Sequence, residues 1–188
     1  MSQQELLIKV IEKLNNLEIE YMLTGSIVSS IQGEPRLTHD IDVIIAISKK
    51  DIQTILNTFS DPDYYISKPG IKRAITNKTM FNLINSKTGN KVDFWIYKDD
   101  SFDRSRFSRK IKKNIIGIEM NISTPEDTIL AKLRWIKLSN GSEKQFTDAL
   151  RIYEIQYNNL DFEYIKKWVT KLKVDKYWDN IKKESEIP

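Results

Sequence analysis

The stretch Tyr21-Met-Leu-Thr-Gly-Ser-Ile27, followed by Arg36-Leu-Thr-His-Asp-Ile-Asp-Val-Ile-Ile45, decides how this chain is interpreted. A short apolar strand leads into Gly25-Ser26, where glycine permits a tight turn and exposed N–H groups can meet an anion. In the apolar run that follows, only Asp40 and Asp42 are charged. Residues two apart in a strand point to the same side, so both carboxylates face one way. Two like charges side by side are costly unless a cation lies between them, so the pair indicates a cation site.

Each part alone has an ordinary structural explanation, because Gly-Ser is a common turn and Asp-x-Asp is often a solvated strand end. The order and spacing of the parts favour a functional interpretation. Strand, Gly-Ser, short helix, polar loop and Asp-x-Asp at the start of a second apolar strand resemble the nucleotidyltransferases of the DNA polymerase β superfamily. The pattern Arg36-x-Thr38-x-Asp40-Ile41-Asp42 is similar to small bacterial members of the abortive-infection, AbiEii-like toxin type.

The composition limits the class of protein. The 188 residues are 40% hydrophobic and 30% charged, which predicts one domain with a sizeable core, or a core with a small helical addition. No segment has the ~20 apolar residues of a membrane span, and the N-terminus lacks a secretory signal. The absence of cysteine and the single histidine exclude thiolate chemistry and argue against a zinc site. We therefore expect a cytoplasmic protein, with no membrane partner, that binds a hard cation through oxygen.

The resemblance and the residue patterns together predict an α/β (α+β) nucleotidyltransferase fold, with a mixed sheet flanked by helices. Residues 1–123 would form the nucleotidyltransferase core, and residues 124–188 a small C-terminal helical region. Strand–helix–strand order favours a parallel pairing of the first two strands. The predicted strands cover residues 21–23, 40–47, 64–67, 71–75, 79–84, 91–97, 107–112 and 115–122. Strands 79–84 and 91–97 are expected to form one hairpin, and strands 107–112 and 115–122 another. In strand 91–97, the side chains of Val92, Phe94 and Ile96 are expected on one face and that of Asp93 on the other.

The predicted helices cover residues 2–17, 26–32, a segment from 48, and residues 124–138, 144–157, 161–171 and 175–182, with a polar connector at 99–103. Ser2 with Glu5 and Ser48 with Asp51 are predicted capping boxes at two helix starts.

Asp93 lies in the apolar strand Lys91-Val-Asp-Phe-Trp-Ile-Tyr97, where an aspartate needs a hydrogen-bond donor, a cation or a metal as partner. The resemblance implies that Asp93 is the third carboxylate of the site, beside Asp40 and Asp42. The alternative is an aspartate paired with a neighbouring lysine such as Lys91. Three carboxylates on one sheet face can bind two Mg²⁺ ions, or Mn²⁺, about 3.5–4 Å apart.

The resemblance further implies transfer of a nucleoside monophosphate from an NTP to an acceptor hydroxyl, with release of pyrophosphate. Asp40, Asp42 and Asp93 would be the catalytic metal ligands. The residues expected to bind the phosphates are Gly25, Ser26, Arg36, Thr38 and Lys132. Relatives carry an aspartate on the helix after the lysine, which here would match Asp148. Helical lysines and aspartates are commonly solvated, so a surface position for Asp148 is the alternative.

A cluster of cations between residues 104 and 113 predicts a basic edge, because only Asp103 is nearby in sequence to offset it. Its members are Arg104, Arg106, Arg109, Lys110, Lys112 and Lys113. The cluster favours RNA, for example a tRNA end, as acceptor, with Arg104, Arg106, Arg109 and Lys110 as contacts. Small molecules and protein hydroxyls stay open as acceptors, since fold and metal motif do not fix the substrate.

A second hypothesis is a catalytically inactive domain that binds nucleotide or RNA, or that acts by binding in a toxin–antitoxin pair with a cognate antitoxin. The superfamily often has a second small residue before Gly-Ser, where this chain has Leu23-Thr24. The sequence determines neither the acceptor, nor the preferred NTP, nor the oligomeric state.

Overall fold

The structure is a computed structural model that describes residues 1–60 and 62–187. Its helices are α1 Gln3–Asn16, α2 Gly25–Gln32, α3 Ile52–Thr58, α4 Lys68–Asn77, α5 Ser101–Ser108, α6 Pro125–Leu138, α7 Glu143–Gln156, α8 Phe162–Leu172 and α9 Asp175–Glu184, with short 3-10 turns at Lys49–Asp51 and Tyr157–Asn159. Its strands are β1 Tyr21–Thr24, β2 Asp40–Ile45, β3 Tyr64–Ile66, β4 Met80–Asn85, β5 Lys91–Ile96, β6 Ile111–Ile115 and β7 Ile118–Ile122.

The strands of the described residues form one mixed sheet in the order β3-β4-β5-β2-β1-β7-β6. β2 pairs in parallel with β5, and β1 pairs in parallel with β7. The other neighbouring pairs are antiparallel. The predicted mixed α/β sheet is therefore confirmed, with β5 and β2 lying next to each other inside it.

The predicted parallel pairing of the first two strands is wrong, because β1 and β2 run antiparallel with Thr24 opposite Asp42. A long connection permits a parallel pair but does not require one, because antiparallel strands can also be joined by a long connection. β2 pairs in parallel with β5, which comes later in the chain.

Two predicted elements have a different structure. Residues 71–75 belong to helix α4 and not to a strand, because Ser67 caps the helix, a proline occupies its first turn, and Ile71, Ala74 and Ile75 bury one helical face. Residues 107 and 108 end helix α5, which begins inside the expected polar connector and is capped by Asp100. The predicted hairpin is therefore shorter and consists of β6 and β7.

The predicted hairpin that contains Asp93 is confirmed as β4 and β5, and its alternation follows the expected two faces. Val92, Phe94 and Ile96 are buried. The ring of Phe94 packs against Phe81 on the neighbouring strand and against Phe59 after α3. Since side chains alternate in a strand, Asp93 projects from the opposite face.

The helical predictions are confirmed for α1, with its Ser2–Glu5 capping box, for α2, and for α6 to α9 within one or two residues at their ends. The capping box at Ser48 and Asp51 is also present, at the start of the 3-10 turn before α3.

The chain folds as two compact units. The first unit contains Met1–Gly25 and Thr38–Ile122, with the sheet and helices α1, α3, α4 and α5. The second contains Ser26–Leu37 and Ser123–Pro188, with most of α2 and helices α6 to α9. The division into a core of residues 1–123 and a helical region of residues 124–188 stays a prediction. Within the described ranges, no helix has the length and apolar character needed to cross a membrane.

Candidate active site

Two neighbouring strands of the first unit bring the predicted carboxylates together. Asp40 and Asp42 lie on β2 and Asp93 on β5, and the parallel register places Asp42 beside Asp93 and Asp40 beside Lys91. Because residues in register on adjacent strands share a face, all four side chains project from the same side of the sheet. Asp93 is buried, whereas Asp40 is partly exposed. The register therefore places the three predicted carboxylates on one face of two neighbouring strands.

Lys91 holds a positive charge between two of these carboxylates. Its Nζ lies 2.8 Å from Asp93 Oδ2 and 3.6 Å from Asp40 Oδ1. The hydrogen bond to Asp93 raises the pKa of Lys91 and, with the charges of Asp93 and Asp40, outweighs the opposing effect of burial. The alternative interpretation, in which Asp93 pairs with Lys91, therefore describes a contact that is present.

Two further side chains donate hydrogen bonds to the carboxylates. Asn82, opposite Asp93 on β4, donates from Nδ2 to Asp93 Oδ1. Trp95 donates from Nε1 to Asp42 Oδ1 over 3.0 Å. The site predicted from the sequence included neither Asn82 nor Trp95. The available signal was the alternation of Asn82 with apolar neighbours on its strand.

The carboxylates match a hard divalent cation in donor type but not in present arrangement. Among residues 1–60 and 62–187, no group of three His, Cys, Asp or Glu side chains is arranged to hold a metal ion. Carboxylate oxygens are the ligands that Mg²⁺ prefers. The ammonium group between Asp40 and Asp93 marks a position where these oxygens already stabilise positive charge. The three carboxylates therefore supply the oxygen ligands that Mg²⁺ prefers. Metal binding at Asp40 and Asp93 would require the ammonium group of Lys91 to move away from their oxygens.

Gly25 lies directly against Asp42, in the same unit. Its φ of +70° is in the left-handed region, and a Cβ there would lie 2.8 Å from Asp42 Cβ and nearer still to the carboxylate. Only glycine fits such an approach without displacement. Thr38, predicted to bind phosphate, accepts a hydrogen bond from the backbone N–H of Asp40 at 3.3 Å.

The second unit contains the other predicted phosphate-binding residues, gathered around Asp148. Arg36 donates to both carboxylate oxygens of Asp148, each over 2.7 Å, and its Nη2 also donates to Ser26 Oγ at 3.0 Å. Lys132 Nζ lies 2.7 Å from Asp148 Oδ2 and donates to Gln145 Oε1 at 2.8 Å. Sequence reasoning missed Gln145, which lies on α7 three residues before Asp148.

The surface alternative for Asp148 is wrong, because Asp148 and Lys132 are both buried. Burial by itself would raise the pKa of Asp148. The hydrogen bonds and charges of Arg36 and Lys132 outweigh that effect and lower the pKa below its ordinary value. Taken by themselves, the side chains of Arg36, Lys132 and Asp148 carry a net charge of +1.

Four cations of the predicted basic edge are paired with acids of the first unit. Arg106 forms an ion pair with the buried Asp103. The other three pairs are more exposed and consist of Arg104 with Asp99, Lys110 with Glu20, and Lys112 with Glu119. Arg109 ends helix α5, and β6 is an outer strand of the sheet. The positive charge is therefore weaker than the sequence indicated, since folding brings in Glu20 and Glu119.

Solved structures of similar fold are found at low sequence identity. An antigenic nucleotidyltransferase-like protein from Paracoccidioides brasiliensis is 16% identical, with 98% of this chain and 94% of that chain covered and a TM-score of 0.59. The antibiotic-resistance factor ANT(2'')-Ia is 9% identical, with 91% of both chains covered and a TM-score of 0.61. The lincosamide antibiotic adenylyltransferase LnuA, bound to lincomycin, is 12% identical, with 82% and 98% covered and a TM-score of 0.56.

No family model matches the chain, and no curated protein matches it in sequence. At these identities the structural matches establish the fold alone. They agree with the mixed sheet flanked by helices. The chain has the nucleotidyltransferase fold.

Proposed function

We propose that this protein is a Mg²⁺-dependent nucleotidyltransferase, which moves a nucleoside monophosphate from an NTP to an acceptor hydroxyl and releases pyrophosphate. The observation that carries the proposal is the alignment of Asp42 with Asp93 on neighbouring parallel strands, with Asp40 on the same face. The fold is shared with nucleotidyltransferases of known structure, which supports the reaction class.

In this proposal Asp40, Asp42 and Asp93 hold Mg²⁺ or Mn²⁺. The bound ions would neutralise charge on the triphosphate and lower the pKa of the acceptor hydroxyl. The acceptor oxygen forms a bond to the α-phosphorus, the bond from that phosphorus to the bridging oxygen of the β-phosphate breaks, and pyrophosphate leaves. Asp93 takes the hydroxyl proton, while hydrogen bonds from Asn82 to Asp93 and from Trp95 to Asp42 keep the carboxylates oriented.

The residues proposed to bind the phosphates are Gly25 and Thr38 in the first unit and Ser26, Arg36 and Lys132 in the second. In the first unit, the absence of a Cβ at Gly25 allows the close approach to Asp42, and Thr38 holds the backbone of Asp40. In the second unit, Ser26, Arg36 and Lys132 form the positively charged cluster around Asp148. Arginine and lysine side chains suit phosphate oxygens as partners.

The acceptor is proposed to be a molecule with a free hydroxyl, in a cytoplasmic reaction. The cations of residues 104–113 support RNA or a tRNA end, although several of them already pair with acids. The fold shared with an antibiotic adenylyltransferase supports a small molecule. A protein hydroxyl is the third acceptor class.

The test is to incubate the protein with each α-labelled NTP and Mg²⁺, together with total RNA, with an aminoglycoside or lincosamide, or with a protein extract. We expect pyrophosphate release and transfer of label in one of these mixtures. Asp40→Asn/Asp42→Asn should abolish both signals. Asp179→Asn, which changes an exposed aspartate on α9, is the control and should leave both unchanged. Transfer that survives in the double variant would contradict the proposed site.

A second candidate function is binding without turnover, and the position of Lys91 favours it. The ammonium group of Lys91 contacts the oxygens of Asp40 and Asp93 that a metal ion would need as ligands. This hypothesis predicts that nucleotide binds, as measured by equilibrium dialysis, while no acceptor mixture releases pyrophosphate. Release of pyrophosphate above the level of Asp40→Asn/Asp42→Asn would exclude it.

A further inference from the structure

Lys91 differs from an ordinary surface lysine in the burial of its partner. Its Nζ contacts Asp93, whose side chain is only 11% exposed, and it also approaches Asp40 on the neighbouring strand. By contrast, the cross-strand pair Lys112–Glu119 joins two side chains that are more than half exposed. A buried carboxylate needs a partner far more than an exposed one does, because water no longer solvates it.

The strand register fixes this arrangement. Asp40 stands directly beside Lys91 in the parallel pair β2–β5, and Asp93 follows Lys91 by two residues on the same face. Lys91 therefore lies next to one carboxylate across the sheet and next to another along its own strand. Backbone pairing fixes Asp40 and the strand conformation fixes Asp93, so the fold places both carboxylates within reach of the Lys91 side chain.

The charges of the cluster limit how many further cations it can take. Three carboxylates contribute three negative charges, and Lys91 removes one of them. One divalent ion then brings the cluster to neutrality, whereas two would leave it with an excess of two positive charges beside the ammonium group. A second ion at Asp40 and Asp93 would also have to take oxygens that Lys91 contacts. A second divalent ion beside the ammonium group of Lys91 would place like charges next to each other, which is strongly unfavourable.

We propose that the ammonium group of Lys91 takes the place of one metal ion. Without nucleotide, the chain then binds one divalent ion, whereas three carboxylates can hold two. This inference rests on the proposed function, because it assumes that Asp40, Asp42 and Asp93 bind metal. Asp40 and Asp42, two residues apart on the same face of β2, would supply the oxygens for the remaining ion.

The experiment counts bound Mn²⁺ per chain in the absence of nucleotide, from the electron paramagnetic resonance signal of free Mn²⁺. Lys91→Met removes the charge and should bind one Mn²⁺ more than the wild type. Lys91→Gln keeps a hydrogen-bond donor toward Asp93 without the charge and should show the same gain. It keeps the inference testable if Lys91→Met does not fold. Lys91→Arg restores the charge and should match the wild type, as should the control Lys112→Met on β6.

An equal number of bound Mn²⁺ ions in the wild type, Lys91→Met and Lys91→Gln would overturn the inference. If that equal number falls in Asp40→Asn/Asp42→Asn, the metal site of the proposed function stands while the role of Lys91 is excluded. If none of the proteins binds Mn²⁺, both the inference and the metal dependence fail. A gain of one ion in Lys91→Met or Lys91→Gln, lost again in Lys91→Arg, supports the inference.

Discussion

Gly25 and Asp42 are in such close approach that a Cβ on Gly25 would lie 2.7 Å from the carboxylate carbon of Asp42. Gly25 is the first residue of α2, directly after β1, and Asp42 lies on β2, whose antiparallel pairing with β1 places Thr24 opposite Asp42. Gly25 and the Asp-x-Asp motif, separate in sequence, are therefore one structural feature.

Gly25→Ala should destabilise the protein and displace the Asp42 carboxylate. The positive φ of +70° costs about 1–2 kcal/mol for alanine, and the added methyl group about 1–3 kcal/mol more. Urea unfolding would measure the loss of stability, and Mn²⁺ titration the loss of metal affinity.

Gly89→Ala is the matched control for Gly25→Ala. Gly89 has a φ of +74°, and no atom lies within 4 Å of a Cβ there. Gly89→Ala should lose only the part of the unfolding free energy that comes from the positive φ, and the protein should keep its affinity for Mn²⁺. Equal losses of stability and of Mn²⁺ affinity in the two variants would show that contact with Asp42 is not the cause.

Trp95→Phe should lower turnover about 10–100-fold while changing stability little, because it removes the hydrogen bond to Asp42 but keeps most of the aromatic packing. The measurement is kcat and KM for pyrophosphate release. Trp135→Phe, on α6 and 46% exposed, is the control. A rise in KM with unchanged kcat would argue for a binding role of Trp95 and against orientation of the carboxylate.

Asp148→Leu and Lys132→Met should each cost about 3–5 kcal/mol of unfolding free energy, because each leaves a buried charge without one of its partners. The double variant should lose less than the sum of the two, by about 1–3 kcal/mol. A double-mutant cycle from urea unfolding checks this coupling. Strict additivity would mean that the two charges act independently, contrary to their 2.7 Å separation.

The lowered pKa of Asp148 predicts a contribution to stability that depends on pH. In the unfolded chain an aspartate titrates near about 3.9, so between the two pKa values the unfolded state binds more protons. The contribution is fully present above about pH 5, and it is lost as the pH falls through the unfolded value and then through the lower folded value. The difference in unfolding free energy between wild type and Asp148→Asn should shrink from pH 7 to pH 3. A constant difference would contradict this.

Arg106→Gln should destabilise the protein by roughly 3 kcal/mol, because its partner Asp103 is only 3% exposed and would lose its cation. Arg104→Gln, whose partner Asp99 is 62% exposed, should cost less than about 1 kcal/mol. Urea unfolding distinguishes the two variants. If RNA binds, only variants that stay folded can report on its salt dependence, so Arg106 is a poor choice for that test.

The sequence by itself predicted the carboxylate strands, the hairpin that carries Asp93, and most of the helices. These depend on local signals, namely alternation along a strand, capping residues and apolar helical spacing, which are visible within a few residues. The local signals at Ser67 and Asp100 were also present, and overlooking them produced the wrong strand at 71–75 and the wrong connector at 99–103.

Only the tertiary structure decided which charges meet. The parallel register of β2 and β5 sets Lys91 beside Asp40, and helix packing in the second unit buries Asp148 with Lys132 and Arg36. Most of these partners lie far apart along the chain, so no local pattern pairs them. The energy of a charge pair depends on the distance between the charges. For residues far apart in sequence, that distance is set only when the chain folds.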